Sequence, residues 1–236
     1  MKKAHILTLV IALLSLAVFS TTAAAAEDLL PLPGIGTVNV ESMSAVSFDT
    51  PQAWEDYASP SGAELHVENG VYRAYTPTTG YLWGLNDQEH TNVVAQVEVT
   101  PLTIYTDVGA GIVCRADESN NGDGYYFMIN PNGYYSIQIG RGDGFVPLVD
   151  WQPSRAVRTG IDRNTIRAVC LDDLLSMYVN DQLVATTSDT TYQSGYAGLA
   201  VAAGNFSVDM TFDNVTLYSV EAPVYLASAN LGSSGS

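Results

Sequence analysis

Residues 109–135 narrow the folds open to this chain more than any other stretch. They read Gly-Ala-Gly-Ile-Val-Cys-Arg, then Ala-Asp-Glu-Ser-Asn-Asn-Gly-Asp-Gly, then Tyr-Tyr-Phe-Met-Ile-Asn-Pro-Asn-Gly-Tyr-Tyr. Two β-rich runs flank a cluster of turn-forming residues and a second turn follows, so the pattern is strand, loop, strand, turn, strand. Closing the second turn with the three-residue loop Pro131-Asn132-Gly133 sets Ile129 opposite Tyr135, Phe127 opposite Ile137 and Tyr125 opposite Ile139. All six then share one apolar face. A two-residue Asn132-Gly133 turn would set Ile129 against Ser136, so the longer loop, with Gly133 left-handed, is the expectation. The other face carries Tyr126, Met128, Asn130, Tyr134, Ser136 and Gln138, which suits water or a sugar.

A β-rich chain of 236 residues with 47% hydrophobic content has enough apolar material for one sizeable core. Residues 1–26 have the pattern of a secretory signal: Lys2 and Lys3, an apolar run from Ile6 to Phe19, and Ala24 and Ala26 before a cut at Glu27. The run is short for a spanning helix, so no membrane insertion is expected after its removal. The remaining chain has seven arginines and no lysine against 25 acidic residues, a formal charge of 7 − 25 = −18. Such a field repels phosphate backbones and anionic lipid, which removes nucleic acid and membrane surfaces from the partner classes. A secreted or extracytoplasmic location, in the periplasm or at the cell surface, follows.

Cys114 and Cys170 are the only cysteines. In an oxidising compartment an even count favours a disulfide over two separate buried thiols. Strand alternation agrees, because Ile112 and Cys114 share one side of their strand while Ile166, Ala168 and Cys170 share the inward side of theirs.

Residues 27–45 contain Pro31, Pro33, Gly34 and Gly36 and read as a lead-in segment. Compact structure is expected over 46–220, with Trp54 and Tyr57 on a short turn, a hairpin at Asn69-Gly70, and one buried face at Val93, Ala95, Val97 and Val99. Residues 221–236 end Gly-Ser-Ser-Gly-Ser and read as a flexible tail. No run of ten or more residues after the signal shows helical periodicity. The fold class is therefore all-β, a two-sheet antiparallel sandwich following the signal segment.

Six segments resemble bacterial domains of the concanavalin A-like lectin/glucanase superfamily, with the nearest look in its laminin-G-like and 3-keto-disaccharide hydrolase-like branch. They are Gly-Ile-Val-Cys-Arg (111–115), Gly-Tyr-Tyr-Phe-Met-Ile-Asn-Pro-Asn-Gly-Tyr-Tyr (124–135), Asn-Thr-Ile-Arg-Ala-Val-Cys (164–170), Met-Tyr-Val-Asn-Asp (177–181), Gly-Tyr-Ala-Gly-Leu (195–199) and Phe-Asp-Asn-Val (212–215). The resemblance implies a jelly roll of two curved sheets, with ligands often bound on the concave face.

The chemistry-bearing residues are sparse. Retaining glucanases of that superfamily place two glutamates and an aspartate at alternate positions of one strand, and no Glu-x-Asp-x-x-Glu occurs here. Glu55-Asp56 and Asp172-Asp173 read as solvated turn residues. Two histidines after the signal, without ligand spacing or a Gly-x-Ser-x-Gly elbow, point to no zinc site and no nucleophile, so no catalytic residue is assigned. For a structural calcium, Asp117, Asn120, Asn121 and Asp123 offer oxygens in one loop. By resemblance to jelly-roll modules whose terminal strands share such an ion, Asp49 and Asp213 are a second candidate pair.

Sugar binding needs aromatic faces and planar polar groups. Tyr81, Trp83, Tyr126, Tyr134 and Trp151 are the candidate faces, with Asn130, Gln138 and Arg141 as polar partners. Arg115 reads as a structural arginine bridging strands, and Arg167 as a cation over the Tyr178 ring. The expected function is a secreted, non-catalytic β-sandwich binding carbohydrate or another extracellular ligand. The alternatives are a glycoside or 3-keto-glycoside hydrolase, and a surface or matrix interaction module without a small ligand.

Overall fold

The structure, a computed structural model, describes residues 29–49, 54–119, 121–142 and 144–221. Residues 1–28, which include the expected signal, and residues 222–236, nearly all of the expected tail, lie outside the described residues. In chain order the strands are β1 (Leu29–Leu32), β2 (Gly36–Val46), β3 (Tyr57–Ala58), β4 (Glu64–Glu68), β5 (Val71–Thr76), β6 (Gly80–His90), β7 (Val93–Pro101) and β8 (Val108–Ala116). They continue as β9 (Gly124–Ile129), β10 (Tyr134–Arg141), β11 (Gly144–Pro153), β12 (Asn164–Leu171), β13 (Leu174–Val179), β14 (Gln182–Ser188), β15 (Gly195–Ala203) and β16 (Val208–Val220).

These strands make two antiparallel sheets. The larger runs β14-β13-β12-β7-β16-β5-β4-β3, with β2 on the second half of β16 and β1 on β2; the smaller runs β11-β10-β9-β8-β15-β6. Alternation decides which side chains lie between them. In β7, Val93, Ala95, Val97 and Val99 face the core while Gln96, Glu98 and Thr100 lie half-buried on the other side. In the hairpin of β9 and β10, Ile129 pairs Tyr135, Phe127 pairs Ile137 and Tyr125 pairs Ile139. Gly133 has φ +88°, the left-handed conformation that the three-residue turn requires.

The two layers are joined covalently at one place. Cys114 on β8 and Cys170 on β12 are joined by a disulfide across the sandwich, 56 residues apart in sequence. In the chain-entropy account a loop of that size is worth roughly 4 kcal/mol. Beside it, Arg115 is buried and adopts φ +53°, which turns its side chain from the strand. Its guanidinium donates to the carbonyls of Thr91 (3.1 Å), Asp172 (2.6 Å) and Tyr192 (2.9 Å) and to Asn92 Oδ1 (3.3 Å). The expected structural role is thus met by tying loops rather than neighbouring strands. Arg167 lies opposite Tyr178 with its guanidinium 5.6 Å from the ring centre.

Residues 29–46 differ from the lead-in expectation. The β1–β2 hairpin folds over the back of the larger sheet, burying Leu32 and Val38 against Val94, Val169, Leu171 and Tyr178, while Tyr178 donates its hydroxyl to the Pro33 carbonyl at 2.9 Å. Val40–Val46 then adds to the edge of β16. Pro31, Pro33 and the two glycines shape the turn and edge of a second small core.

Candidate functional site: a groove along β6

Five of the eight residues expected to contact a ligand meet on the outer face of the smaller sheet. Tyr81 and Trp83 come from β6, Tyr126 from β9, Gln138 from β10 and Trp151 from β11, and all but Gln138 belong to one apolar cluster with Phe145. Tyr81 stacks on Phe145 with centroids 3.6 Å apart and planes 12° from parallel. These rings come from opposite edges of a six-stranded sheet, whose edge strands would be about 24 Å apart if it were flat. The sheet therefore curls, and this outer face is its concave side.

That concave side is filled by its own residues. Tyr126 is fully buried with its ring edge-on to Tyr81, Trp83 and Phe145, and its hydroxyl donates to the Gly122 carbonyl. Tyr81 donates to Gln138 Oε1 at 2.5 Å, and Gln138 donates to Ser136 Oγ at 2.9 Å. Burial pushes the phenols of Tyr81 and Tyr126 above the ordinary tyrosine range. The remaining three residues lie elsewhere. Asn130 Oδ1 accepts the amides of Asn132 and Tyr134 in the β9–β10 turn, where Tyr134 is exposed, and Arg141 donates to Thr191 Oγ1 at the end of β10.

The open space lies beside this face, along the β6 edge. A cavity of about 550 Å³ is lined by Trp54, Glu55, Leu85, Asn86, Asp87, Glu118 and Tyr196. A second of about 220 Å³ is lined by Glu55, Tyr57, Tyr81, Leu82 and Trp83. Glu55 borders both, and β6 runs past them in order, with Tyr81, Leu82 and Trp83 along the smaller and Leu85, Asn86 and Asp87 along the larger, so together they form one groove.

Its wall is built by a strand-like segment that the sequence reading placed in a turn. Trp54 bridges Asn86, the Glu55 amide donates to the Leu85 carbonyl and the Leu85 amide donates to Glu55 Oε2. Glu55 is therefore a half-buried groove residue and not a solvated turn acid. Trp54 packs on Phe48 and Tyr72, with ring centres 5.9 Å from each. The Tyr72 hydroxyl crosses the sandwich to donate to the Glu55 carbonyl at 2.6 Å. Position 84 must be glycine for this: a Cβ there would collide with the Tyr72 hydroxyl.

Electrostatically the groove is one-signed. Its charged lining consists of the carboxylates of Glu55, Asp87 and Glu118, with no arginine, lysine or histidine. Glu118 raises the Tyr196 phenol above its usual range, with smaller contributions from burial and Glu89. Chemically, aromatic faces, carboxylate acceptors and the Asn86 amide offer stacking and hydrogen bonds to hydroxyls.

The candidate calcium oxygens are engaged locally. Asp49 accepts from Ser47, Asp213 from the Asn214 amide and Asp117 from the Ser119 amide, while Asp123 accepts from the Gly142 amide and Asn121. Asn120 lies outside the described residues. Among the described residues no three His, Cys, Asp or Glu side chains gather as a metal-binding group.

No protein-family model matches the chain, and no curated protein does. Solved structures do. Carbohydrate-binding module CBM66 from Bacillus subtilis aligns with TM-score 0.56 at 14% identity, over 72% of this chain and 98% of its own. A β-1,3-1,4-glucanase (lichenase) from a mouse hindgut metagenome gives 0.57 at 10% identity, over 75% and 99%. The catalytic domain of an endo-1,3-β-glucanase (laminarinase) from Thermotoga petrophila gives 0.55 at 11%, over 83% and 100%. The chain has the concanavalin A-like jelly-roll fold.

Proposed function

We propose that this protein is an extracytoplasmic module that binds neutral carbohydrate through the β6 groove. One observation carries the reading: Trp54, Tyr57, Trp83 and Tyr196 border an open groove whose charged groups are all carboxylates, with the Asn86 amide beside them. Pyranose rings stack on such aromatic faces, and carboxylates accept their hydroxyl hydrogens. The same carboxylates repel uronates and sulfated sugars, as does the overall charge of the chain. The likeness in fold to a carbohydrate-binding module supports this reading, and the inter-sheet disulfide agrees with an oxidising compartment.

Pull-down against β-glucans, xylan and chitin, with pectate and alginate as anionic controls and with calcium present or chelated, tests it. Retention on a neutral polymer and none on the polyuronates is expected. Loss of neutral binding on chelation, reproduced by Asp49→Asn or by Asp123→Asn, would assign the calcium role to the oxygens of that candidate set. Absence of retention on every neutral polymer would overturn the reading.

A second reading, glycoside hydrolysis, draws on the three carboxylates that converge on one cavity from separate elements. Such enzymes need a carboxylate pair across the scissile bond. Reducing-sugar release from a β-glucan, abolished in Glu55→Gln or Glu118→Gln, would favour the hydrolase over the binder.

A further inference from the structure

The start of β6 leads to a second aromatic surface. Four of the eleven exposed large apolar side chains among the described residues, Leu102, Ile104, Tyr105 and Phe206, sit in the two loops that cross between the sheets at this end. Single exposed apolar residues are ordinary, but such a concentration marks a contact surface. Tyr105 and Phe206 are stacked, 4.6 Å between centroids and 7° from parallel, yet remain 41% and 51% exposed.

The loops are held in place. Asp107 Oδ2 accepts both the amide and the side-chain nitrogen of Asn205, at 2.6 and 2.9 Å, and the Gly204 amide donates to the Asp107 carbonyl at 2.9 Å. They are also tied to the groove strand: Gly80 of β6 pairs Ala203, and the Thr79 hydroxyl donates to the Gly204 carbonyl at 2.5 Å. From Gly80 to Asp87 an extended strand covers about 23 Å. Groove and aromatic platform thus lie in sequence along one edge.

We infer that the ligand is the extended chain of a linear neutral polysaccharide, running along β6 with the Tyr105–Phe206 pair as its distal stacking subsite. This rests on the groove reading above. The occupant follows from continuity: whatever leaves the groove past Tyr81 meets Gly204 and then Phe206, and a ring pair with an exposed flank suits the apolar face of a sugar. A short saccharide held at Trp54 and Tyr196 reaches none of this.

Titration calorimetry of the chain from Glu27 onward, with a ladder of laminari-oligosaccharides or of oligomers of whichever neutral polymer is retained, tests the inference. Affinity should climb with chain length. Phe206→Ala and Tyr105→Ala should weaken the longest oligomers about tenfold while leaving the shortest unchanged, and Phe206→Trp should preserve the long-chain gain. Because both rings are exposed, thermal melting of the variants should match the parent. Equal affinity for all lengths, or Phe206→Ala binding long oligomers like the parent, overturns the distal subsite and leaves the groove reading standing. Failure of every length to bind, with the parent folded, overturns both.

Discussion

The concave face of the smaller sheet and the groove along its β6 edge hold the same kinds of residue with opposite outcomes. On the concave face Tyr81, Trp83, Tyr126 and Phe145 pack ring against ring, and the polar groups of Tyr81, Tyr126, Gln138 and Ser136 are satisfied internally. Along the edge, Tyr57, Asp87 and Glu118 are exposed and Trp54 and Tyr196 half-buried around open space. Aromatic content therefore does not define a site in this molecule. Sheet curl does, because it turns one set of side chains against itself and leaves the neighbouring set facing outward.

The comparison breaks most visibly at Tyr126. Tyr126→Ala empties the centre of the filled face and should lower stability by about 3–5 kcal/mol, read as a fall in the urea midpoint. If it costs less than about 1 kcal/mol, the face is not packed as described. Alkaline pH attacks the same region more gently. Burial raises the Tyr81 and Tyr126 phenols, and on the inner face of the strand that carries Tyr126, Tyr125 is pushed up to about 12, chiefly by burial. A raised acid pKa means that the folded state keeps its proton while the unfolded state loses it. The stability these phenols contribute is complete below about pH 10 and is lost progressively above it. Denaturation midpoints measured from pH 8 upward should fall once pH exceeds about 10, and by less in Tyr81→Phe.

The groove should respond the other way. Tyr196→Ala and Glu118→Gln should leave stability within about 0.5 kcal/mol of the parent and lower glycan affinity roughly tenfold, measured by calorimetry. A groove variant that unfolds the protein while Tyr126→Ala does not would invert the contrast.

The sequence disclosed the parts of this fold that local rules govern. The pairing of β9 with β10 followed from alternation plus one turn, and Cys114 with Cys170 from the inward sides of two strands. What it concealed depends on pairing at long range. Pro31, Pro33, Gly34 and Gly36 read as a loop because nothing near them shows that β2 docks on β16, more than 150 residues away in the chain. Trp54 and Glu55 looked like a turn because their partners, Asn86 and Leu85, lie 32 and 30 residues on. Tyr126 and Gln138 were legible as an outward face, yet only the meeting of both sheet edges shows that this face is closed. Gly84 was the one available signal for the groove wall, a glycine mid-strand where a neighbouring hydroxyl passes.

The smallest expected effect links the groove to acid pH through His90. Its ring is buried, with Nδ1 2.9 Å from Ser219 Oγ and Nε2 3.3 Å from Asn86 Nδ2. Asn86 Oδ1 accepts the Ala197 amide at 3.1 Å, which fixes the side-chain amide and leaves Nδ2 as the donor toward the ring. Nε2 must therefore accept, and the neutral ring carries its proton on Nδ1, aimed at Ser219. In that tautomer His90 is no base for the serine hydroxyl, which removes a nucleophilic pair from consideration. Protonating Nε2 would set two donors face to face, and burial already lowers the His90 pKa. A lowered base pKa means that the unfolded chain takes up the proton first. The stability His90 contributes is complete above about pH 6.5 and declines as pH falls through the lowered value, with a slope of at most about 1.4 kcal/mol per pH unit for one proton. The carboxylates of Glu41, Glu89 and Glu221 border the same recess, but burial sets the direction of the His90 shift. Because Asn86 also lines the larger cavity, glycan affinity should weaken over the same acid window in the parent and hold constant in His90→Gln. Parallel titrations of both proteins down to pH 5 decide it, and identical pH profiles would separate His90 from the groove.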